Sequence, residues 1–342
     1  MISRIAVIGA GAVGSIIGGL LAKSGQDVTL VDQWPEHVEA MKDRGLQLSG
    51  SCGEHTIPVR ALHLHELQAV SDPFDVAFVA VKSYDTEWAT WLTVAHLRPD
   101  GVVVDSQNGI NDERVAAIAG PTRTLGCVVL LGAALPEAGH AMRTDEGTLG
   151  FKIGELDGSD TPRARTVVGL LEPVAPTTLT TNLRGERWSK LTVNCIANPL
   201  AGLAGLGTAD VRSDLVTRRL AIHLGAEAIQ VGQALGYAVE PIWGIAAERF
   251  VAAAEGRGLG AVEADISRDA KSRGSGRPSL LQDVLRRRRT EIDYLNGYVV
   301  ERGLHARVLT PFNAAVVSIY HELGIGFTPS RDNLQPLIRM LP

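Results

Sequence analysis

The chain has 342 residues, more than one hydrophobic core usually organises, and its 45% apolar and 21% charged composition is that of a soluble globular enzyme, so two domains are expected. A formal net charge of −5 gives no general attraction to nucleic-acid backbones or anionic membranes. Three widely spaced cysteines, Cys52, Cys127 and Cys195, suggest neither a disulfide framework nor a metal cluster, which points to a reducing, cytoplasmic compartment and no metal site.

Residues 5–8 read as a short apolar strand, followed by a glycine turn and a helix to about Ser24. The uncharged run 5–22 is about as long as a membrane span or signal peptide, but five glycines at turn and packing spacings favour a buried strand and helix. Residues 27–31 form the next strand, and 74–81, 101–105 and 123–131 are continuous apolar runs, as central parallel strands covered on both faces require. Residues 139–153, with the turn Thr144-Asp145-Glu146-Gly147, predict an antiparallel hairpin at the sheet edge. Beyond Gly185 the pattern is helical, with candidates at 187–206, 213–235, 242–255, 280–302 and 311–323. The boundary is set near Asn182, giving domains 1–182 and 183–342, and the Gly/Ser/Arg-rich segment 271–278 reads as a mobile connection between helices. The expected fold is therefore α/β: a Rossmann-type doubly wound sheet followed by an all-α domain.

Gly9-Ala10-Gly11-Ala12-Val13-Gly14 is a GxGxxG between a strand and a helix. The first glycine permits a tight turn, the second lets the backbone approach a pyrophosphate, and the third lets helix and strand pack closely. Asp32 ends the second strand, where a carboxylate can accept from both ribose hydroxyls but repels a 2′-phosphate. No basic residue follows before Lys42, so NAD is favoured over NADP, with NADP use left open. The structural alternative is that Asp32 caps the helix around Pro35, and both roles are compatible. Lys82 and Asn108 lie just beyond two central strands, the edge at which open parallel sheets bind ligands, although polar residues there also serve as turn formers.

Lys190, Asn194 and Asn198 are spaced by four and fall along one stripe of an otherwise apolar helix, beside Pro199. Such a stripe must meet polar groups, water or a ligand; a satisfied seam between helices is the structural alternative. A buried lysine suits ketone reduction, because it can stabilise the charge that develops on oxygen and deliver a proton. Ser279 with Gln282 fits a capping box, and a helix N-terminus there would also attract a carboxylate. Glu291 is expected deep in the 280–302 helix, where pairing with Arg287 or Arg288 as a surface salt bridge competes with a functional role. The four arginines 286–289, flanked by acidic residues, read as a solvated or ion-paired helix face and not a nucleic-acid patch.

Taken together, Gly9-x-Gly11-x-x-Gly14, Lys82, Asn108, Lys190-x-x-x-Asn194-x-x-x-Asn198-Pro199 and Ser279-x-x-Gln282-Asp283…Thr290-Glu291-Ile292-Asp293…Asn296-Gly297 closely resemble the ketopantoate reductases over nearly the whole chain. The resemblance implies an active site in the cleft between a Rossmann and an all-α domain, with Lys190 as general acid. It also implies that Glu291 contacts the substrate hydroxyl and helps position the lysine, while Asn108, Asn194, Asn198 and Ser279 orient substrate or nicotinamide. Gly9, Gly11, Ala12, Val13, Gly14, Asp32, Lys82 and Asn108 would hold the dinucleotide. Two residues depart from the pattern: Asp32 stands where NADP-using members often carry a basic or small residue, and Gly276 where some carry an asparagine.

The expected activity is reduction of a small 2-keto acid, 2-dehydropantoate first, by a cytoplasmic homodimer. An NAD-dependent branched 2-hydroxy acid dehydrogenase of the same family is the nearest alternative. A dinucleotide-sensing regulator is an alternative of another class, opposed by the presence of Lys190, Asn194 and Glu291, since a sensor needs no proton donor.

Overall fold

A computed structural model describes residues 4–272 and 276–342. The chain divides into two compact units, Met1–Leu183 and Arg184–Pro342.

The first unit is built on β1 (Arg4–Ile8), β2 (Asp27–Asp32), β3 (Leu46–Gly50), β4 (His55–Ile57), β5 (Arg60–His63), β6 (Phe74–Val79), β7 (Leu97–Asp105), β8 (Thr124–Val129), β9 (Ala133–Glu137), β10 (His140–Arg143), β11 (Phe151–Glu155) and β12 (Thr177–Leu179). Eight of these form one sheet in the order β12-β11-β8-β7-β6-β1-β2-β5, with β11 antiparallel to β8 and the other pairings parallel. The helices are α1 (Ala12–Lys23), α2 (Pro35–Arg44), α3 (Thr86–Ala95), α4 (Asp112–Ala119) and α5 (Pro162–Leu171). Alternate residues of β1 enter opposite cores: Ile5 and Val7 pack with α1 and α5, and Ala6 and Ile8 with the layer containing Ala89 and Val115. Two covered faces explain the unbroken apolar runs. Each fully buried Ile or Val contributes about 1.5–3 kcal/mol. Segment 5–22 is thus β1 and most of α1, both inside the core. Among the described residues, no helix is long and apolar enough to cross a membrane.

The predicted edge hairpin is divided between two sheets. β10 pairs antiparallel with β9 and parallel with β3 in a four-stranded sheet of order β4-β3-β10-β9, whereas β11 joins the main sheet against β8. The expected turn is the crossing between them. Asp145 anchors it by accepting from Gly132 N, Gly147 N and the buried Arg143 guanidinium at 2.7–3.1 Å.

The second unit is described by α6 (Leu183–Ala204), which begins one residue before it, then α7 (Thr208–Ser213), α8 (Leu215–Ala234), α9 (Ala247–Ala254), α10 (Leu259–Ser272), α11 (Ser279–Leu285), α12 (Asn296–Ala306) and α13 (Pro311–Leu323). At Gly225 a Cβ would lie 2.7 Å from both Ile196 and Phe250, so its bare backbone lets α8 meet α6 and α9. Glu227 of α8 caps α13 from outside, accepting from Phe312 N at 2.8 Å and Asn313 N at 2.9 Å. The predicted helix 280–302 is broken. α11 ends at Leu285, a turn follows in which Arg287 adopts φ 54°, and a short 3-10 turn (Ile292–Tyr294) precedes α12. The four arginines therefore occupy an exposed turn and not a helix face. Residues 273–275 of the predicted connection lie outside the described residues.

Candidate active site

Parallel pairing brings the carboxyl ends of β7, β6, β1 and β2 to one edge of the main sheet, with Asn108, Lys82, the glycine turn and Asp32 following or ending those strands. The chain leaves β1 towards β2 on one side and returns to β6 on the other, so this edge contains the topological switch point.

Each glycine of the turn has its own reason. Gly9 adopts φ +94°, and a Cβ there would lie 2.7 Å from Val81 N; at Gly14 a Cβ would run into the Gly9 carbonyl oxygen. Gly11 is different: a Cβ would meet nothing within 4 Å, and its N–H has no hydrogen-bond partner among the described residues. α1 opens at Gly11 without any side-chain cap. Open space beside an unsatisfied N–H and an uncapped helix end fits a dinucleotide pyrophosphate. Gly11→Ala is therefore expected to leave Tm nearly unchanged but weaken NADH binding about tenfold or more, about 1.4 kcal/mol per decade. Fluorescence titration alongside thermal melting measures both, and unaltered affinity would remove the phosphate from this turn.

Asp32 is half-buried, and one of its oxygens accepts from Trp34 N at 2.8 Å. It organises the turn before α2 without capping the helix, whose N-cap is Trp34. Burial raises its carboxyl above the usual value, against the lowering effects of the Trp34 N–H and neighbouring His37. Lys42, the first basic residue after it, is held by Glu66 at 2.8 Å and Glu39 at 3.4 Å.

Lys82 precedes a 3-10 turn (Ser83–Asp85). The Asn108 carbonyl accepts from Ser83 Oγ at 3.1 Å and Asn111 Nδ2 at 2.9 Å, while Gln107 Nε2 donates to Val81 O at 2.9 Å. Ser83 and Asn111, which sequence reading passed over, thus fix the Asn108 backbone. The Asn108 side-chain amide has no partner among the described residues.

In the second unit, Lys190, Asn194 and Asn198 follow one another on α6 as predicted. Asn194 and Asn198 are buried and Lys190 is half-buried. The Lys190 ammonium makes no hydrogen bond or ion pair among the described residues, and burial lowers its pKa. The Asn194 Nδ2 is buried without a partner. This stripe is not a satisfied seam between helices.

Pro199 lacks the N–H that would bond the Cys195 carbonyl, and Asn296 Nδ2 donates to that carbonyl instead, at 3.0 Å. Asn296 Nδ2 also donates to Asn313 Oδ1 at 2.9 Å, and Asn313 Nδ2 to Glu227 at 2.7 Å. The gap left by one proline therefore docks the segment that carries Glu291 onto the helix that carries Lys190. Glu291 itself is 2% exposed and stands at the start of the 3-10 turn, not deep in a helix and not on the surface.

Gly202 continues the four-residue series of the stripe, and the Leu280 backbone passes 3.7 Å from where its Cβ would sit. Ser279, the first residue of α11, immediately precedes Leu280 in the chain. The expected capping box is absent: the N-cap is Pro278, and Gln282 Nε2 donates to Arg277 O at 2.9 Å. With only seven residues, α11 has little dipole to offer, which leaves the Ser279 hydroxyl as the polar group. Gly276 accepts from Thr208 N at 2.9 Å and donates from its own N–H to Thr208 Oγ1 at 3.1 Å, and a Cβ there would find its nearest atom at 3.9 Å.

Residues 5–158 match the family profile described as ketopantoate reductase PanE/ApbA, and residues 182–324 match its C-terminal counterpart. A 2-dehydropantoate 2-reductase of Archaeoglobus fulgidus is 30% identical over 95% of this chain and 99% of its own. A ketopantoate reductase family structure from Ralstonia eutropha is similar with a TM-score of 0.76 at 25% identity, covering 92% of this chain and 96% of that one. The D-mandelate dehydrogenase structure with NADH and anilino(oxo)acetate shares the fold, with a TM-score of 0.80 at 22% identity over 93% of this chain and 97% of that one. The chain is thus an NAD(P)-dependent oxidoreductase acting on CH–OH groups. It belongs to the ketopantoate reductase family.

Proposed function

We propose that this enzyme reduces a small 2-keto acid to the 2-hydroxy acid, with 2-dehydropantoate as substrate and pantoate as product. The observation that carries the reading is Lys190: a partnerless, burial-shifted lysine on the same stripe as an unsatisfied Asn194 amide. When bound, the reduced nicotinamide supplies the hydride. As the carbonyl oxygen gains charge, the Lys190 ammonium stabilises it and transfers a proton. Glu291 orients Lys190 and accepts from the nascent hydroxyl. Asn194, Asn198 and Ser279 hold the carbonyl and carboxylate, and Asn108 orients substrate or nicotinamide. Gly9, Gly11, Ala12, Val13, Gly14 and Lys82 hold the phosphates, and Asp32 the ribose. In this reading the enzyme is a cytoplasmic homodimer, and a monomer mass in light scattering would remove that part.

A second reading, an NAD-dependent branched 2-hydroxy acid dehydrogenase, is favoured by Gly276, which offers no polar side chain to a substrate hydroxyl where some family members carry an asparagine. Comparing 2-dehydropantoate with 2-ketoisovalerate, which lacks that hydroxyl, separates the two. A higher kcat/KM for 2-dehydropantoate supports the first reading, and equal or reversed values favour the second.

NADH is the expected cofactor. Asp32 repels a 2′-phosphate, and Lys42 is committed to Glu66 and Glu39. kcat/KM should favour NADH over NADPH by roughly tenfold or more, about 1.4 kcal/mol, and Asp32→Ala should narrow that ratio. A clear NADPH preference in the unsubstituted enzyme would refute the electrostatic argument.

A further inference from the structure

His37 is fully buried in α2 and has been given no role with cofactor or substrate above, yet its ring joins three segments that are distant in sequence. Its Nδ1 accepts from Gly139 N at 2.8 Å, in the turn between β9 and β10. With Nδ1 accepting, the ring's remaining proton sits on Nε2, which lies 2.8 Å from the Ala10 carbonyl oxygen and donates to it. Ser15 Oγ donates to the same oxygen at 2.6 Å. Burial lowers the His37 pKa, which suits this neutral form. Trp34 stacks on the ring with centroids 5.5 Å apart and fixes its plane.

Ala10 lies between the first two glycines of the turn. In a planar trans peptide the C=O of one residue and the N–H of the next point in opposite directions. Two donors that hold the Ala10 carbonyl towards His37 therefore turn the Gly11 N–H the other way. That N–H has no partner among the described residues, and a Cβ on Gly11 would meet only open space.

We propose that His37, assisted by Ser15, is a positioning residue for the dinucleotide: it locks the Ala10–Gly11 peptide so that the Gly11 N–H is presented to the pyrophosphate, and it braces that lock against the second sheet through Gly139. This inference rests on the dinucleotide reading of the glycine turn. Pre-setting one donor removes an ordering cost from binding, so its loss should appear in cofactor affinity before it appears in chemistry.

Two substitutions separate the ring's two bonds. An Asn amide reaches about as far as Nδ1, and a Gln amide about as far as Nε2. His37→Asn keeps an acceptor for Gly139 but loses the donor to Ala10, and His37→Gln does the reverse. With NADH as the probe, His37→Asn should raise Kd about tenfold or more and His37→Gln less than about threefold. For His37→Asn, kcat at saturating NADH and KM for the keto acid should change less than about twofold, so the loss falls on the cofactor alone. A role confined to holding the fold would instead make affinity follow Tm in both variants. Ser15→Ala, which removes the second donor and the 3.3 Å contact of its Oγ with His37 Nε2 but keeps both ring bonds to Ala10 and Gly139, should weaken NADH binding severalfold even if the His37 variants fail to fold. NADH affinity unchanged in Ser15→Ala and in every folded His37 variant overturns the proposal. An unsubstituted protein that binds neither NADH nor NADPH overturns the dinucleotide reading itself, a distinguishable failure.

Discussion

Lys190→Ala is expected to lower kcat for keto acid reduction by ~10²–10⁴-fold while changing the Kd for NADH less than about twofold. The expectation follows from where the lysine sits: half-buried on α6, with no acceptor to occupy its ammonium group and a pKa lowered by burial. A lowered pKa makes the ammonium a better acid near neutral pH than an exposed lysine. The sign of the pH dependence follows. Reduction needs the protonated form, so kcat/KM should fall as pH rises through the lowered pKa, whereas hydroxy acid oxidation needs the neutral amine and should gain over the same range. Lys190→Arg retains the charge but cannot release a proton at these pH values, so it should recover little activity. A Lys190→Ala variant with more than about half of the original kcat would mean that the proton comes from elsewhere.

Glu291→Gln should lower kcat/KM by roughly 10²-fold with Tm changed by no more than a few degrees. The Gln substitution preserves the shape of the side chain while removing the charge and replacing one acceptor oxygen with an NH2 donor. The residue is buried at the start of a 3-10 turn and is linked to the Lys190 helix through Asn296 and the Cys195 carbonyl. An exposed ion pair would contribute only ~0–1 kcal/mol to stability and nothing to chemistry. Ordinary kinetics in this variant would reduce Glu291 to scaffold and leave Lys190 without its proposed orienting partner.

The parts of the molecule legible in the sequence are those whose causes are local. Strand, turn and helix around Gly9–Gly14 are fixed by neighbours within a few residues, and the polar stripe of α6 by helical spacing alone. Distant partners decided what was missed. β10 and β11 look like two arms of one hairpin, but pairing with β3 sends one arm to the second sheet and pairing with β8 sends the other to the first. β3 and β4 are short and partly polar, with no apolar run to announce them. The break after α11 carries no glycine or proline, and the chain turns instead with Arg287 at positive φ. Pro199 was visible as a lost hydrogen bond, but the Asn296 that replaces it lies 101 residues away from Cys195. His37 gave no signal because its meaning depends on Ala10 and Gly139, which only the folded unit brings to its ring.

The proposed reduction passes hydride directly from a nicotinamide to the carbonyl carbon of a 2-keto acid. NADH carrying deuterium at its transferable position, incubated with the enzyme and 2-dehydropantoate, tests this most directly when the product is analysed by mass spectrometry. Direct transfer would place one deuterium at C2 of the hydroxy acid for each NADH oxidised, with the yield collapsing in Lys190→Ala. Oxidation of NADH without label at that carbon, or no oxidation of NADH or NADPH with any small 2-keto acid, would contradict it.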